Sequence, residues 1–297
     1  MKLLVTGAWK ASNEQLNTLK SLGHEIVFLQ QEKDSLPCSY EQVEGVICNG
    51  LFLYHDFNAF VNLKFVQLTS AGFDRVPMDL AKEKGIPVYN AGNTYAIPMA
   101  EFAINGVLSL YKQSAFFNEN KRSCVWEKHR NLLELFSKTV LIVGCGNVGT
   151  ECAKRFRAFG CKVLGVDLYP RKDENYFSMD GMDSLDDNLK IADVVVLTLP
   201  LTKETEHLFH KERFDKMKDN SLLVNIARGA IVDENALIDA LNNKLFGAVI
   251  DVFNVEPLPT DSPLWKMENL ILTPHNAFVG EGNSQRLFNL IIKNLKG

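Results

Sequence analysis

Short apolar runs and polar, helix-patterned segments alternate along almost the whole chain. KLLVT at 2–6 predicts a strand, 13–22 a helix stopped at Gly23, and EIVFL at 25–29 a second strand. VEGVIC at 43–48 and KFVQLTS at 64–70 follow, then a helix at 78–84 capped by Gly85 and a strand at 87–89. A second series starts near 139. It predicts strand TVLIV, a helix from Asn147 to Phe159, strand KVLGVD at 162–167, and a short helix near 184–191. Strand DVVVLTLP, a helix near 210–218, strand SLLVNIA, a helix at 233–243 with Asp233 as N-cap, and strands FGAVIDVF and LILT complete it. Short unbroken apolar strands alternating with helices indicate parallel sheets covered on both faces. The second series provides six strands, enough for a dinucleotide-binding sheet.

Two apolar helical segments lie outside this rhythm, Ala96 to Tyr111 and Asn283 to Lys296. Both are expected to cross between domains. The fold class is therefore α/β with two Rossmann-like or flavodoxin-like parallel-sheet domains. A nucleotide-binding domain (97–277) is inserted in a discontinuous substrate domain (1–96 plus 278–297).

The 297 residues suit two domains. A formal net charge of −4 argues against a nucleic-acid partner. No apolar stretch nears the roughly 18–20 residues that span a bilayer, and the opening run is too short for a signal-peptide core. The cytoplasm is the default compartment. Cys38, Cys48, Cys124, Cys145, Cys152 and Cys161 form no C-x-x-C pair, so they are expected to be reduced, with no metal bound.

Gly144-Cys145-Gly146-Asn147-Val148-Gly149 is a G-x-G-x-x-G between a predicted strand and a predicted helix. A lone match is weak; this context gives it meaning. Gly144 permits the tight turn, Gly146 lets a pyrophosphate approach, and Gly149 lets the helix pack on the sheet. Asp167 ends the next strand, about 20 residues on, where an acid takes the adenosine ribose. Its charge repels a 2′-phosphate, which favours NAD. Arg171 and Lys172 nearby keep NADP in play.

Three more segments sit at carboxyl ends of predicted strands, where ligands bind in open α/β sheets. They carry Arg228, Glu256 and His275. Hydride transfer between an alcohol and a ketone needs a group that takes or gives the hydroxyl proton, and histidine does both near neutral pH. A carboxylate partner orients the ring and favours its protonated form. An arginine grips a substrate carboxylate by two hydrogen bonds and polarises the carbonyl. Singly, each has a bland alternative as a packing, ion-pair or solvated residue; together, downstream of the glycines, they point to redox chemistry.

With these words in place the chain resembles the D-isomer-specific 2-hydroxyacid dehydrogenase family. The resemblance runs from about residue 69 to 280. It rests on LTSAGFDRV at 68–76, MAEFAINGVLSL at 99–110, the glycine fingerprint, NIARGAIVDENAL at 225–237, DVFNVEPLP at 251–259 and SPLWKMENLILTPHNA at 262–277. It implies Arg228, Glu256 and His275 as the catalytic residues. It implies Ala71 and Gly72 as amide donors to the substrate carboxylate. Ala227 and Asp251 would lie near the nicotinamide carboxamide, and Leu199 and Pro200 would line the cofactor pocket. It further implies substrate binding in an interdomain cleft and a homodimer through the nucleotide-binding domain, with Trp126 either in the dimer region or in the core. The chain departs from the family at Ser137, where glycine is usual, and at Cys145, where an aliphatic residue is usual.

Phosphoglycerate dehydrogenases of this family tend to carry a base in the loop at Asn49 to Tyr54. This loop has none and its middle is apolar. The expected substrate is a small unphosphorylated 2-oxo acid such as hydroxypyruvate, glyoxylate or a branched 2-oxo acid. The alternatives are a 3-phosphoglycerate dehydrogenase, an NADH-responsive corepressor-like binding protein, or a relative acting on formate or phosphite.

Overall fold

The computed structural model describes residues 1–296. The chain divides into two compact units, Met1–Tyr95 with the tail from Gly280, and Ala96–Val279.

The first unit begins with β1 (Lys2–Thr6), α1 (Asn13–Ser21) and β2 (Glu25–Leu29). Ser12 starts α1 with a capping box: its hydroxyl accepts from the Gln15 amide, and Gln15 Oε1 accepts from the Ser12 amide. β3 (Gly45–Cys48), β4 (Phe65–Leu68), α2 (Met78–Glu83) and β5 (Val88–Tyr89) follow. The sheet is wholly parallel in the order β2-β1-β3-β4-β5. Alternate residues of one strand serve opposite faces. Leu4 joins Val46, Val66, Phe57 and Phe60, while Leu3 and Val5 join Ile47, Phe65, Trp9 and Leu19.

The second unit opens with α3 (Ala96–Tyr111) and α4 (Ser114–Arg122). Then come β6 (Thr139–Val143), α5 (Asn147–Ala158), β7 (Lys162–Val166), β8 (Ser178–Asp180), α6 (Leu185–Leu189) and β9 (Val194–Leu197). α7 (Lys211–Lys216), β10 (Leu222–Asn225), α8 (Glu234–Asn243), β11 (Gly247–Ile250) and β12 (Leu270–Leu272) complete it. Asp233 caps α8 as expected, accepting from the Ala236 amide. All seven strands are parallel, in the order β12-β11-β10-β9-β6-β7-β8. The sequence pattern predicts six. The seventh, β8, is three half-buried residues (Ser-Met-Asp) with no apolar run; backbone pairing to β7 alone makes it a strand. α4 also escapes the pattern, because it buries no residue and so has no apolar stripe.

The tail helix α9 (Asn283–Leu295) returns to the first unit. Leu287 and Ile291 enter the face built by Leu3, Val5 and Trp9. Asn294 Nδ2 donates to Oε1 of the buried Gln67 at 2.8 Å.

Candidate active site

The strand order of the second unit reverses between β6 and β9, and ligands of open α/β sheets bind at such a point. β6 delivers the glycine turn there. Gly144 has φ +94°, and a Cβ on it would lie 2.6 Å from the Leu199 amide nitrogen. A Cβ on Gly149 would lie 2.3 Å from the Gly144 carbonyl oxygen, so α5 sits against the turn only because both are glycine. At Gly146 a Cβ would meet nothing within 4 Å. The first intrahelical bond of α5 runs from the Thr150 amide to the Gly146 carbonyl at 2.9 Å. The amides of Asn147, Val148 and Gly149 precede it and have no helical acceptor. An open approach, orphan amides and the helix dipole fit a pyrophosphate.

Asp167 sits at the end of β7 with its carboxylate pinned to this turn. Oδ2 accepts from the Cys145 amide at 2.6 Å and Oδ1 from the Tyr169 amide at 2.9 Å. Arg171 also reaches the turn, donating to the Cys145 carbonyl at 2.7 Å. The Cys145 thiol faces inward, and burial pushes it up to about 12, which keeps it unionised and unreactive. Leu199 is buried and Pro200 exposed at the end of β9.

β10, β11 and β12 are neighbours, and the three predicted reactive residues follow their ends. After β10, buried Asn225 shapes the turn, accepting from the Ala227 amide at 3.1 Å and donating to the Arg228 carbonyl at 3.0 Å. A Cβ on Gly229 would fall 2.0 Å from the Phe253 carbonyl carbon, so this loop is pressed against the one after β11. Arg228 Nη1 donates to the Ala227 carbonyl at 2.7 Å. After β11, Glu256 Oε1 accepts from the Phe253 amide at 3.0 Å. After β12, His275 Nδ1 lies 2.8 Å from Glu256 Oε2, an ion pair whenever the ring is protonated. Nδ1 thus bonds the carboxylate and Nε2 remains for a ligand. The Phe278 ring meets the imidazole edge-on, centroids 6.0 Å apart.

Asp251 ties this assembly together. It is buried, and its Oδ1 accepts from the Thr273 hydroxyl and the Asn276 amide, each at 2.7 Å. Oδ2 accepts from the Ala277 amide at 2.9 Å, and the Asp251 carbonyl takes the His275 amide at 2.8 Å. These bonds hold the His275 loop, in which His275 has φ +51°. A carboxylate has about four acceptor positions, so about one is left open. The holding role of Asp251 is invisible in the sequence, because its partners lie 22 to 26 residues further on. Gly229 is likewise read as a family word until its contact with Phe253 is seen.

In the first unit, Ala71 and Gly72 form the turn after β4. Their carbonyls accept from Asn90 Nδ2 at 2.7 Å and Ser70 Oγ at 3.1 Å. Among the described residues, neither amide has an acceptor. In the loop at Asn49 to Tyr54, Leu51 turns into the core and Phe52 meets Phe57 at a tilt and Phe60 edge-on. Its apolar middle is therefore partly packing; only Leu53 and Tyr54 are well exposed.

Among the described residues, no cluster of three or more His, Cys, Asp or Glu side chains could hold a metal ion. None of the described helices is long and apolar enough to cross a membrane.

Fold and turn together define the second unit as a dinucleotide-binding domain. A sequence model described as "D-isomer specific 2-hydroxyacid dehydrogenase, NAD binding domain" matches residues 104–277. The glyoxylate reductase of Thermofilum pendens is 36% identical over 295 residues, spanning 97% of this chain and 81% of that protein. The D-3-phosphoglycerate dehydrogenase of Bacillus subtilis is 39% identical over 223 residues, 74% of this chain but 42% of that protein. The crystal structure of D-lactate dehydrogenase from Aquifex aeolicus, complexed with NAD and lactic acid, matches with TM-score 0.77 at 28% identity, covering 99% of this chain and 94% of that one. The chain belongs to the D-isomer-specific 2-hydroxyacid dehydrogenase family, NAD-dependent enzymes acting on CH–OH donors.

Proposed function

We propose that this enzyme reduces a small, unphosphorylated 2-oxo acid to the D-2-hydroxy acid with NADH, and runs the reverse reaction with NAD. The observation that carries the reading is the 2.8 Å bond between His275 Nδ1 and Glu256 Oε2, with Arg228 at the end of the adjoining strand series.

NADH supplies the hydride when bound. The turn at Gly144, Gly146, Asn147, Val148 and Gly149 would hold its pyrophosphate and Asp167 its adenosine ribose; Leu199 and Pro200 would line its pocket, and Ala227 and Asp251 would lie near the nicotinamide carboxamide. Arg228 directs guanidinium donors at the substrate carboxylate and carbonyl oxygen, drawing electron density off the carbonyl carbon. His275 gives a proton from Nε2 to that oxygen as the C–H bond forms, and takes it back in the oxidation. Glu256 holds the ring by Nδ1 throughout. The unpaired amides of Ala71 and Gly72 support their assignment to the substrate carboxylate.

A panel of hydroxypyruvate, glyoxylate, a branched 2-oxo acid and 3-phosphohydroxypyruvate, each with NADH and NADPH, tests the reading. The expected result is NADH-preferring reduction of the unphosphorylated acids. Preference for the phosphorylated acid would assign the chain to the phosphoglycerate dehydrogenases instead. NADH binding without any turnover would favour a sensor.

We also assign a homodimer to the second unit. Trp126 is 97% exposed, which removes it from the core, and Phe117, Val125 and Leu132 are exposed in the same stretch. Such a strip needs cover. Sedimentation of the full chain should give a dimer, and Trp126→Glu should shift it towards monomer. A monomeric parent would contradict the assignment.

A further inference from the structure

The first unit carries a second pair of converging backbone donors beside the Ala71–Gly72 turn. Beyond β3 the chain turns through Asn49 and Gly50. The Asn49 amide donates to Glu32 Oε1 at 2.6 Å and the Gly50 amide to Glu32 Oε2 at 2.7 Å. Thr6 Oγ1 adds a bond to Oε1 at 2.8 Å. Successive amides closing on one anion form the concavity by which backbone holds phosphates and carboxylates. Here the chain fills it with its own side chain. Thr6 ends β1 and Asn49 follows β3, the two strands between which this sheet's order reverses. Ligands of flavodoxin-like sheets bind at that point.

Glu32 is held in place through its backbone. His55, buried, has Nε2 2.8 Å from the Glu32 carbonyl oxygen and Nδ1 2.9 Å from the Tyr40 hydroxyl. The aliphatic stem of an arginine passes Gly50 on the same side as the carboxylate. A Cβ on Gly50 would lie 3.5 Å from both Glu32 Oε2 and Arg75 Cδ. Arg75 comes from the loop after β4 and has no ion-pair partner among the described residues.

The two amide pairs stand on adjacent strand ends. β3 and β4 pair in register Cys48 to Leu68, and the Thr69 amide donates to the Cys48 carbonyl at 2.8 Å. Paired strands lie about 4.8 Å apart. The Ala71–Gly72 and Asn49–Gly50 turns therefore leave neighbouring parallel strands at the same end of the sheet. One pair is open; the other is plugged.

We propose that Glu32 is a specificity residue: a built-in anion that fills the second amide pair and makes the enzyme reject 2-oxo acids with another anionic group, such as a phosphate, at the far end. The proposal rests on the unphosphorylated-substrate reading above and supplies its cause. A dianion arriving here meets a like charge and finds both amides taken. Without the Glu32 charge, two amides and the Thr6 hydroxyl would face the same space, which is the composition of an anion site.

Glu32→Gln and Glu32→Ala in the full chain test this. The ratio of kcat/KM for 3-phosphohydroxypyruvate over hydroxypyruvate should rise about tenfold or more in both, mainly through KM for the phosphorylated acid. An unchanged ratio overturns the proposal. Amide NMR with inorganic phosphate gives a readout free of turnover. The Asn49 and Gly50 resonances should shift saturably in the folded variants and stay still in the parent. If no 2-oxo acid were reduced at all, the substrate reading would fail while the phosphate result still decided on Glu32. Folded variants whose resonances ignore phosphate would overturn the proposal by themselves.

Discussion

Arg228→Lys is expected to lower kcat/KM for the 2-oxo acid by about two orders of magnitude, with the KM for NADH little changed. Arginine has five donors in a planar fork. Nη1 is committed to the Ala227 carbonyl, which fixes the plane of the guanidinium and leaves the rest for the substrate. A lysine ammonium, after replacing that one bond, keeps two donors that diverge, so it cannot grip a carboxylate and a carbonyl oxygen together. The turn itself should survive, because Asn225 and the close approach of Gly229 to Phe253 shape it, rather than the Arg228 side chain. Steady-state kinetics with a saturating cofactor check this. A kcat/KM within about threefold of the parent, where a lost clamp costs about a hundredfold, would remove Arg228 from the role.

His275→Ala should cost about three orders of magnitude in kcat, within the range that a positioned proton donor contributes. The oxygen of the reduced carbonyl needs a proton as the hydride arrives, and Nε2 is the ring atom left to give it once Nδ1 bonds Glu256. The surrounding loop is held by Asp251, whose bonds run to Thr273, Asn276 and Ala277. Alanine is strained at φ +51°, so His275→Asn, a residue that accepts this conformation, serves as a companion. Both variants should bind NADH as the parent does, because the glycine turn is untouched; a fluorescence titration reads this. Loss of cofactor binding together with activity would mean a collapsed loop rather than a missing acid.

How legible a residue is in the sequence follows from how strongly local chemistry constrains it. The strands around Leu3, Val140 and Val195 are apolar because both faces of a parallel sheet are covered, so their runs stand out. Gly144 and Gly149 are required by close backbone contacts, and only glycine meets that need. β8 and α4 lacked such a signature, one being held by pairing alone and the other burying nothing. The apolar middle of the loop at Asn49 to Tyr54 was open to misreading, because Leu51 and Phe52 are occupied with the core. Glu32 lies in a polar stretch with no motif, and the amides it serves are 17 and 18 residues away. Long-range polar ties of this kind, like those of Asp251, leave no period in a sequence.

The claim on which the rest depends is that His275 delivers the proton while hydride reaches the 2-oxo carbon. It is tested most directly by a single turnover: enzyme holding NADH is mixed rapidly with a saturating 2-oxo acid, and NADH loss is followed for the parent and His275→Asn. Slowing by about three orders of magnitude, with NADH still bound to the variant, is the predicted result. Equal rates would place the proton donor elsewhere and contradict the mechanism.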